Sequence, residues 1–264
     1  METKSNRFFL KKKMGFLLFL LLLVGLYLGS AFVTSFRWEE GVSAFPQAFV
    51  WMAQNLVPEA QALERMPKIL ERLLETILLS VAVTVIAAVV AFVVSLFGSK
   101  ATGFRGWVNS IVRMIAAFFR NVPDVVWAML LLFSFGQNIM TGFLALFFTT
   151  FGLLTRAFIE TIDEVSASCI EALTSCGAKF SHMVCQGIVP STLTGIVTWV
   201  LYMVETNIRS STLIGMLTAT GIGYLFNMYY KRLEFGSASV VVLSIVVVVL
   251  VIENISNLLR KVIA

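Results

Sequence analysis

The sequence predicts an all-α integral membrane protein with six transmembrane helices, and three observations carry that reading. Hydrophobic residues fill 58% of the 264 positions, charged residues only 13%, and mean hydropathy is +0.90. A soluble domain carries about twice that charge fraction. The apolar positions are gathered into separate runs long enough to cross a ~30 Å hydrocarbon layer, which takes about 20 helical residues. Basic residues collect at one set of ends of those runs, the bias that marks a cytoplasmic side.

Residues 1–13 form a basic tail with Lys4, Arg7, Lys11, Lys12 and Lys13, five of the 20 basic residues. Set against an apolar run, such a tail suits a cytoplasmic flank and not nucleic acid, despite the net charge of +5. Residues 14–34 are uncharged for 21 positions. A cleavable leader has an apolar region of only about 7–15 residues, so this run reads as an uncleaved first span. Residues 35–70 form an extracytoplasmic loop. Within it, 45–70 mixes Phe, Trp and Leu with Gln, Glu and Lys, and Pro58 is placed to open a helix. Either a helix lying along the membrane surface or a plain connector fits.

Residues 71–264 supply a core of five further spans. The run 73–97 carries only Glu75. The run 104–135 is interrupted at Pro123 and holds Arg113, Arg120 and Asp124. The run 141–158 is apolar apart from Arg156. The run from 191 to about 227 is too long for one simple helix and holds Glu205, Arg209 and a Gly-rich end. The run 237–259 is rich in Val and Ile, but an isolated strand cannot satisfy its backbone in lipid, so a helix is required. Six spans put both termini on one side. Lys100, Arg105, Lys179, Arg260 and Lys261 join the basic tail in marking it as cytoplasmic, with only Lys231 and Arg232 against the trend. Cys169, Cys176 and Cys185 are odd in number and lack metal-ligand spacing, which suits reduced thiols.

The longest cytoplasmic loop, 160–190, is too apolar to be a solvated linker. Ile162, Val165, Cys169, Ile170 and Leu173 recur near helical spacing, opposite an acidic face. Gly177 suits a helix C-cap. A second short helix over 181–187 is expected to end before Pro190, which opens the next span. Two short amphipathic helices at the inner surface make either a docking element or a pair resting on the membrane interface. His182, the single histidine, falls there and reads as a surface contact.

This loop resembles the E-A-A-x3-G-x9-I-x-L-P segment of ATP-binding-cassette importer permeases. Glu171, Ala172, Gly177 and Pro190 stand at its offsets, while Leu173 replaces the second Ala, Gly187 the Ile and Val189 the Leu. A second stretch, YMVETNIRSSTLIGMLTATGIG, is similar to the phosphonate-type members of that family through Tyr202, Glu205, Asn207, Arg209, Ser211, Thr212, Gly215, Gly221 and Gly223. RNVPD at 120–124 resembles their R-S-x-P-E turn. Thr218 and Thr220 stand where relatives are richer in Gly. The likeness covers roughly residues 70–264.

The resemblance implies that Glu171, Ala172, Leu173, Gly177 and Pro190 belong to a coupling loop that a cytoplasmic ATPase grips. It also implies a two-fold dimer, two ATPase subunits carrying ATP and Mg²⁺, an extracytoplasmic substrate-binding protein, and the bacterial inner membrane as the setting. The chain binds no cofactor in this reading, and it has no G-x-x-x-x-G-K-[ST] loop to cradle ATP. Neither a metal cluster nor a nucleophile–base pair is legible, so it reads as a transport subunit and not an enzyme. Charges inside spans cost about 2.5–3.5 kcal/mol each on insertion scales and usually face a partner or a water path. Glu205 and Arg209, four apart, form either a structural ion pair or part of a path. In the second case Arg209 and Arg120 meet a phosphorus oxyanion, for which a guanidinium fork is suited. Asp124, Asn207, Ser210, Ser211 and Thr212 join that path, and Gly215, Gly221 and Gly223 its outer gate. The alternatives are methionine or another small solute as cargo, and an ion-coupled secondary transporter.

Overall fold

The computed structural model describes residues 2–58, 62, 64–102, 106–165 and 167–263, and the side chains of 12–58, 62, 64–102, 106–165 and 168–262. Among these residues every regular element is helical, as the composition requires. The chain divides into two compact units, Met1–Asn55 and Leu56–Ala264.

In the first unit, α1 (Glu2–Val33) runs unbroken from the basic tail through the first apolar run. Lys and Arg are good helix formers, so nothing stops the helix at Met14. Its apolar part, Lys12–Val33, has 22 residues, about 33 Å of helix. Ser35 then takes left-handed backbone, φ 53°. The next helix, α2 (Trp38–Asn55), has Glu39 and Glu40 at the positive end of its dipole. The loop helix therefore starts well before Pro58 and takes Pro46 inside it. Positions 59–61 and 63 of that expected segment lie outside the described residues, as do Phe104, Arg105 and Ser166.

The second unit opens with α3 (Met66–Gly98), which begins seven residues before the expected span, with a proline in its first turn. Ile69, Leu73, Thr76, Ser80, Val83, Thr84, Ala87 and Ala91 make its buried stripe at helical spacing. At its start Arg65 pairs with Glu234 and lies over the Tyr229 ring. The Glu234 hydrogen bond raises the Arg65 guanidinium above its ordinary pKa.

The expected break at Pro123 separates α4 (Gly106–Asn121) from α5 (Asp124–Phe135), and the two axes meet at 86°. Proline lacks the N–H that would continue the ladder and drives the preceding residue out of helical backbone. Next, α6 (Ile139–Val165) is the most buried of the long apolar helices and touches α3, α4, α5 and α9. Small residues at its contacts let the backbones approach, the main source of helix association when the solvent is itself apolar. After α6 come α7 (Ala167–Ser175), the short α8 (Phe180–His182) and a π-helical turn, Met183–Ile188. Then α9 (Val189–Thr218), α10 (Gly221–Lys231) and α11 (Phe235–Ile263) complete the chain. The run too long for one helix breaks at Ala219, whose backbone is left-handed, φ 58°. Among the described residues, five helices are long and apolar enough to span a membrane, six when α4 and α5 count as one broken span.

Candidate functional site

The segment 160–190 begins inside α6, because Glu160–Val165 continue that helix. The first independent piece is α7, anchored by Ile170, which is buried with Leu96, Ile162 and Ile188. With that face turned inward, Glu171 and Ala172 are exposed. Gly177 ends α7 with left-handed backbone, φ 74°. Its N–H reaches the Thr174 carbonyl at 2.9 Å and the Ala178 N–H reaches the Leu173 carbonyl at 3.0 Å, the paired bonds of a Schellman cap.

The second short helix does not stop before Pro190. The π turn passes directly into α9, with Pro190 in the first turn of that helix. Pro190 has no N–H for the Gln186 carbonyl and its ring would crowd that group in a regular α-turn. A wider turn relieves the crowding, and the Val189 N–H accordingly bonds back to the Val184 carbonyl. Leu173 fills the space beside Gly187: a Cβ built on Gly187 would lie 2.9 Å from Leu173 Cδ1.

Along α9 the expected path residues separate. Arg209 donates to Glu205 at 2.9 Å, with the arginine side chain 53% exposed and the glutamate 12%. Only one guanidinium nitrogen is engaged; the rest of the fork has no partner among the described residues. Arg120 is exposed in the last turn of α4, and the Asp124 carboxylate accepts the Val125 N–H at 2.9 Å at the start of α5. Ser210 is half-buried, and the Thr212 hydroxyl donates to the Ile208 carbonyl at 3.2 Å.

Asn207 and Ser211, expected along the path, have their side chains engaged inside the unit. Both point into the unit, 3% and 5% exposed. The Asn207 amide donates to Thr84 of α3 and Thr150 of α6, both at 2.9 Å. Ser211 accepts from Ser80 and donates to the Ile208 carbonyl, both at 3.0 Å. Position decides this: both side chains lie two residues from Arg209, about 200° around the helix. They join α3, α6 and α9 through neutral hydrogen bonds. The sequence carried a signal for this seam in Thr76, Ser80 and Thr84, small polar residues four apart on an apolar helix.

Asn207→Ala is expected to remove about 1–3 kcal/mol, since interhelical bonds in membranes are worth about 0.6 and at most about 1.7 kcal/mol each. Heating the detergent-purified chain and following its monodisperse fraction by size-exclusion chromatography checks this. Lost transport at unchanged stability would return Asn207 to the path.

The three glycines expected at an outer gate are closely packed. A Cβ on Gly215 would lie 2.5 Å from the Thr220 carbonyl oxygen, on Gly221 2.4 Å from Thr76 Oγ1, and on Gly223 1.9 Å from the Thr212 carbonyl oxygen. Gly221 also has φ 57°. In this structure these positions let α10 lie flush against α9 and α3.

Residues 91–264 match the family described as binding-protein-dependent transport system inner membrane component. Among similar proteins is the phosphate-import permease protein PhnE of Mycolicibacterium smegmatis, 28% identical over 54% of this chain and 27% of that protein. The phosphite transport system permease protein PtxC of Stutzerimonas stutzeri is 26% identical over 58% and 56%. The putative cryptic phosphonate transport system permease protein PhnE2 of Escherichia coli is 29% identical over 45% and 97%. The matched stretch thus spans less than two thirds of the first of these relatives. Among solved structures, a chain of the MetNI methionine ABC transporter in an inward-facing conformation superposes with TM-score 0.68 at 17% identity, covering 76% of this chain and 98% of that one. At that identity the likeness concerns the fold.

Proposed function

We propose that this chain, which belongs to the family of binding-protein-dependent transport system inner membrane components, forms half of the membrane path of an ATP-driven importer for phosphonate or a related phosphorus oxyanion. Two copies build the path, two ATPase subunits grip the 160–190 segments, and an extracytoplasmic binding protein delivers the cargo. ATP and Mg²⁺ reside on the ATPases. Both termini and α7 lie on the cytoplasmic side, which the basic tail, Lys100, Arg260 and Lys261 support. ATP binding and release drive alternating access through the difference in ATPase affinity between the two states.

One observation carries this reading. Glu171 and Ala172 are held outward on a capped helix whose other face is anchored by Ile170, at the offsets from Gly177 and Pro190 that a docking segment needs. For the cargo, support comes from relatives named for phosphate, phosphite and phosphonate, and from Arg209. A half-exposed guanidinium about 13 Å short of the end of a spanning helix would be costly against lipid. A dimer axis or water path accommodates it, and two copies would set two such forks face to face. The methionine alternative rests on a permease 24% identical, over 59% of this chain. Family membership leaves the ion-coupled alternative without support.

The test is reconstitution with candidate ATPases and binding proteins, measuring ATP hydrolysis and uptake with phosphonate, phosphite, phosphate and methionine in turn. Hydrolysis raised by methionine alone would overturn the cargo assignment. Arg209→Lys retains the ion pair but loses the bidentate fork. Its expected effect is a fall in oxyanion uptake of about tenfold, the equivalent of ~1.4 kcal/mol, with ATPase assembly intact. Unchanged uptake would reduce Arg209 to a structural partner of Glu205.

A further inference from the structure

We propose that Asp163 is a positioning residue that clamps the last turn of α6 to the α3–α4 turn and to Arg113, so that a displacement of α7 is carried to the bend between α4 and α5. The inference rests on the functional reading above and concerns how force leaves the docking segment.

The geometry around Asp163 is specific. One carboxylate oxygen accepts the Ser99 hydroxyl at 2.6 Å and the Lys100 N–H at 2.9 Å, with the Ala101 N–H at 3.4 Å. The other accepts Arg113 Nη2 at 2.7 Å, and Arg113 Nε donates to the Gly98 carbonyl at 3.2 Å. One side chain thus ties three helices at a single joint. Local helix energetics do not explain it, because an acid in the last turn opposes the helix dipole. Gly98 closes the same joint, since a Cβ there would lie 2.4 Å from Ile159 of α6 and 2.7 Å from Val112 of α4.

The joint is adjacent to the seat of α7. Ile170 shares a buried cluster with Ile162, the neighbour of Asp163, and with Leu96, three residues before Ser99. At its other end α4 is held again, because a Cβ on Gly152 of α6 would lie 2.6 Å from the Arg120 backbone nitrogen. The attachments at Arg113 and Arg120 are seven residues apart, about 10 Å along α4. With both in place α4 must follow α6, and its end delivers the motion to Pro123. Releasing Asp163 frees α6 from the joint, while the inner end of α4 stays tethered to the end of α3 by the Arg113–Gly98 bond, by the Asn109 amide donating to the Ser99 carbonyl at 2.9 Å, and by packing.

The experiment uses the complete transporter with its ATPases and binding protein. Asp163→Asn keeps the shape but turns an amide N–H₂ toward groups that are all donors. The expected result is normal co-purification of ATPase, continued ATP hydrolysis, and at least tenfold more ATP consumed per substrate imported. Arg113→Ala should behave alike, while Arg113→Lys, which keeps the charge, should stay within about threefold of wild type. A purely structural role would instead lower yield and assembly. Should Asp163→Asn fail to assemble, Ser99→Ala removes one hydrogen bond and is expected to raise the ATP-to-substrate ratio about two- to threefold; an unchanged ratio overturns the proposal. Wild-type coupling in Asp163→Asn overturns the clamp alone, whereas a wild-type chain that binds no ATPase overturns the functional reading and the clamp with it.

Discussion

Gly223→Ala is expected to abolish transport and to lower the thermal stability of the chain more than any other added methyl group among the described glycines. The new carbon would lie 1.9 Å from the Thr212 carbonyl oxygen and 2.8 Å from the Met216 nitrogen. Both are backbone atoms of α9, so no side-chain rotation clears the space. Overpacking against side chains typically costs about 1–3 kcal/mol, and an obstacle of backbone puts this substitution at or above that range. Relief requires α10 to move off α9, which also strains the 2.9 Å bond from the Ile222 N–H to Thr76 of α3. Gly142→Ala is the control. Its Cβ would meet nothing closer than Thr218 Oγ1 at 3.5 Å, and exchanging Gly for Ala inside a helix gains up to ~1 kcal/mol. Uptake and melting in detergent should therefore fall for Gly223→Ala and hold or rise for Gly142→Ala. Wild-type uptake in Gly223→Ala would mean that α9 and α10 part during the transport cycle.

That contact sets a condition on any gate at the outer end. With Gly215, Gly221 and Gly223 each in close contact with a neighbour, α9 and α10 are expected to move together, with opening at other contacts. The Asn207 seam extends the same set of contacts to α3 and α6 through Thr84 and Thr150. The α4–α5 bend lies outside that set of contacts, and Arg120 is exposed beside it.

The spans were legible because lipid leaves few solutions: long apolar runs must be helices, and Pro123 must break one. Helix ends were less so. Residues 66–72 and 160–165 are polar enough to read as loop, yet they continue α3 and α6, because helices extend beyond the hydrocarbon into water at no penalty. The helix α7 was legible through spacing, down to Gly177 at its cap. Two features were not. A small polar residue in a span looks alike whether it faces a path or a neighbouring helix, and Asn207 and Ser211 differ from Arg209 only in angle around α9. Asp163 was invisible because its partners, Ser99, Lys100 and Arg113, are 50 or more residues away in sequence. No local pattern encodes such a contact.

The double substitution Leu173→Ala with Gly187→Ile is expected to couple ATP hydrolysis to uptake, although each single substitution impairs it. These are two of the three positions, with Val189, where the segment departs from the pattern it resembles: a large residue stands where that pattern has Ala, and Gly where it has Ile. The departures meet in space, since Leu173 Cδ1 occupies the volume that a side chain on Gly187 would need. Bulk has been exchanged across the contact between α7 and the π turn, with the total nearly kept, the kind of change cores tolerate best. Gly187→Ile alone must push Leu173 aside and tilt α7, which carries Glu171 and Ala172 on its exposed face. Leu173→Ala alone opens a gap and loosens α7. Ion pairs play no part here, so the cycle isolates packing; residues in direct contact typically show interaction energies of about 0.5–3 kcal/mol. Amounts of ATPase retained by the purified variants, and uptake per ATP, give the readout. Single variants should lose at least half of the retained ATPase and the double should recover most of it. A double no better than the worse single would show that the segment fits its ATPase by some means other than this exchange.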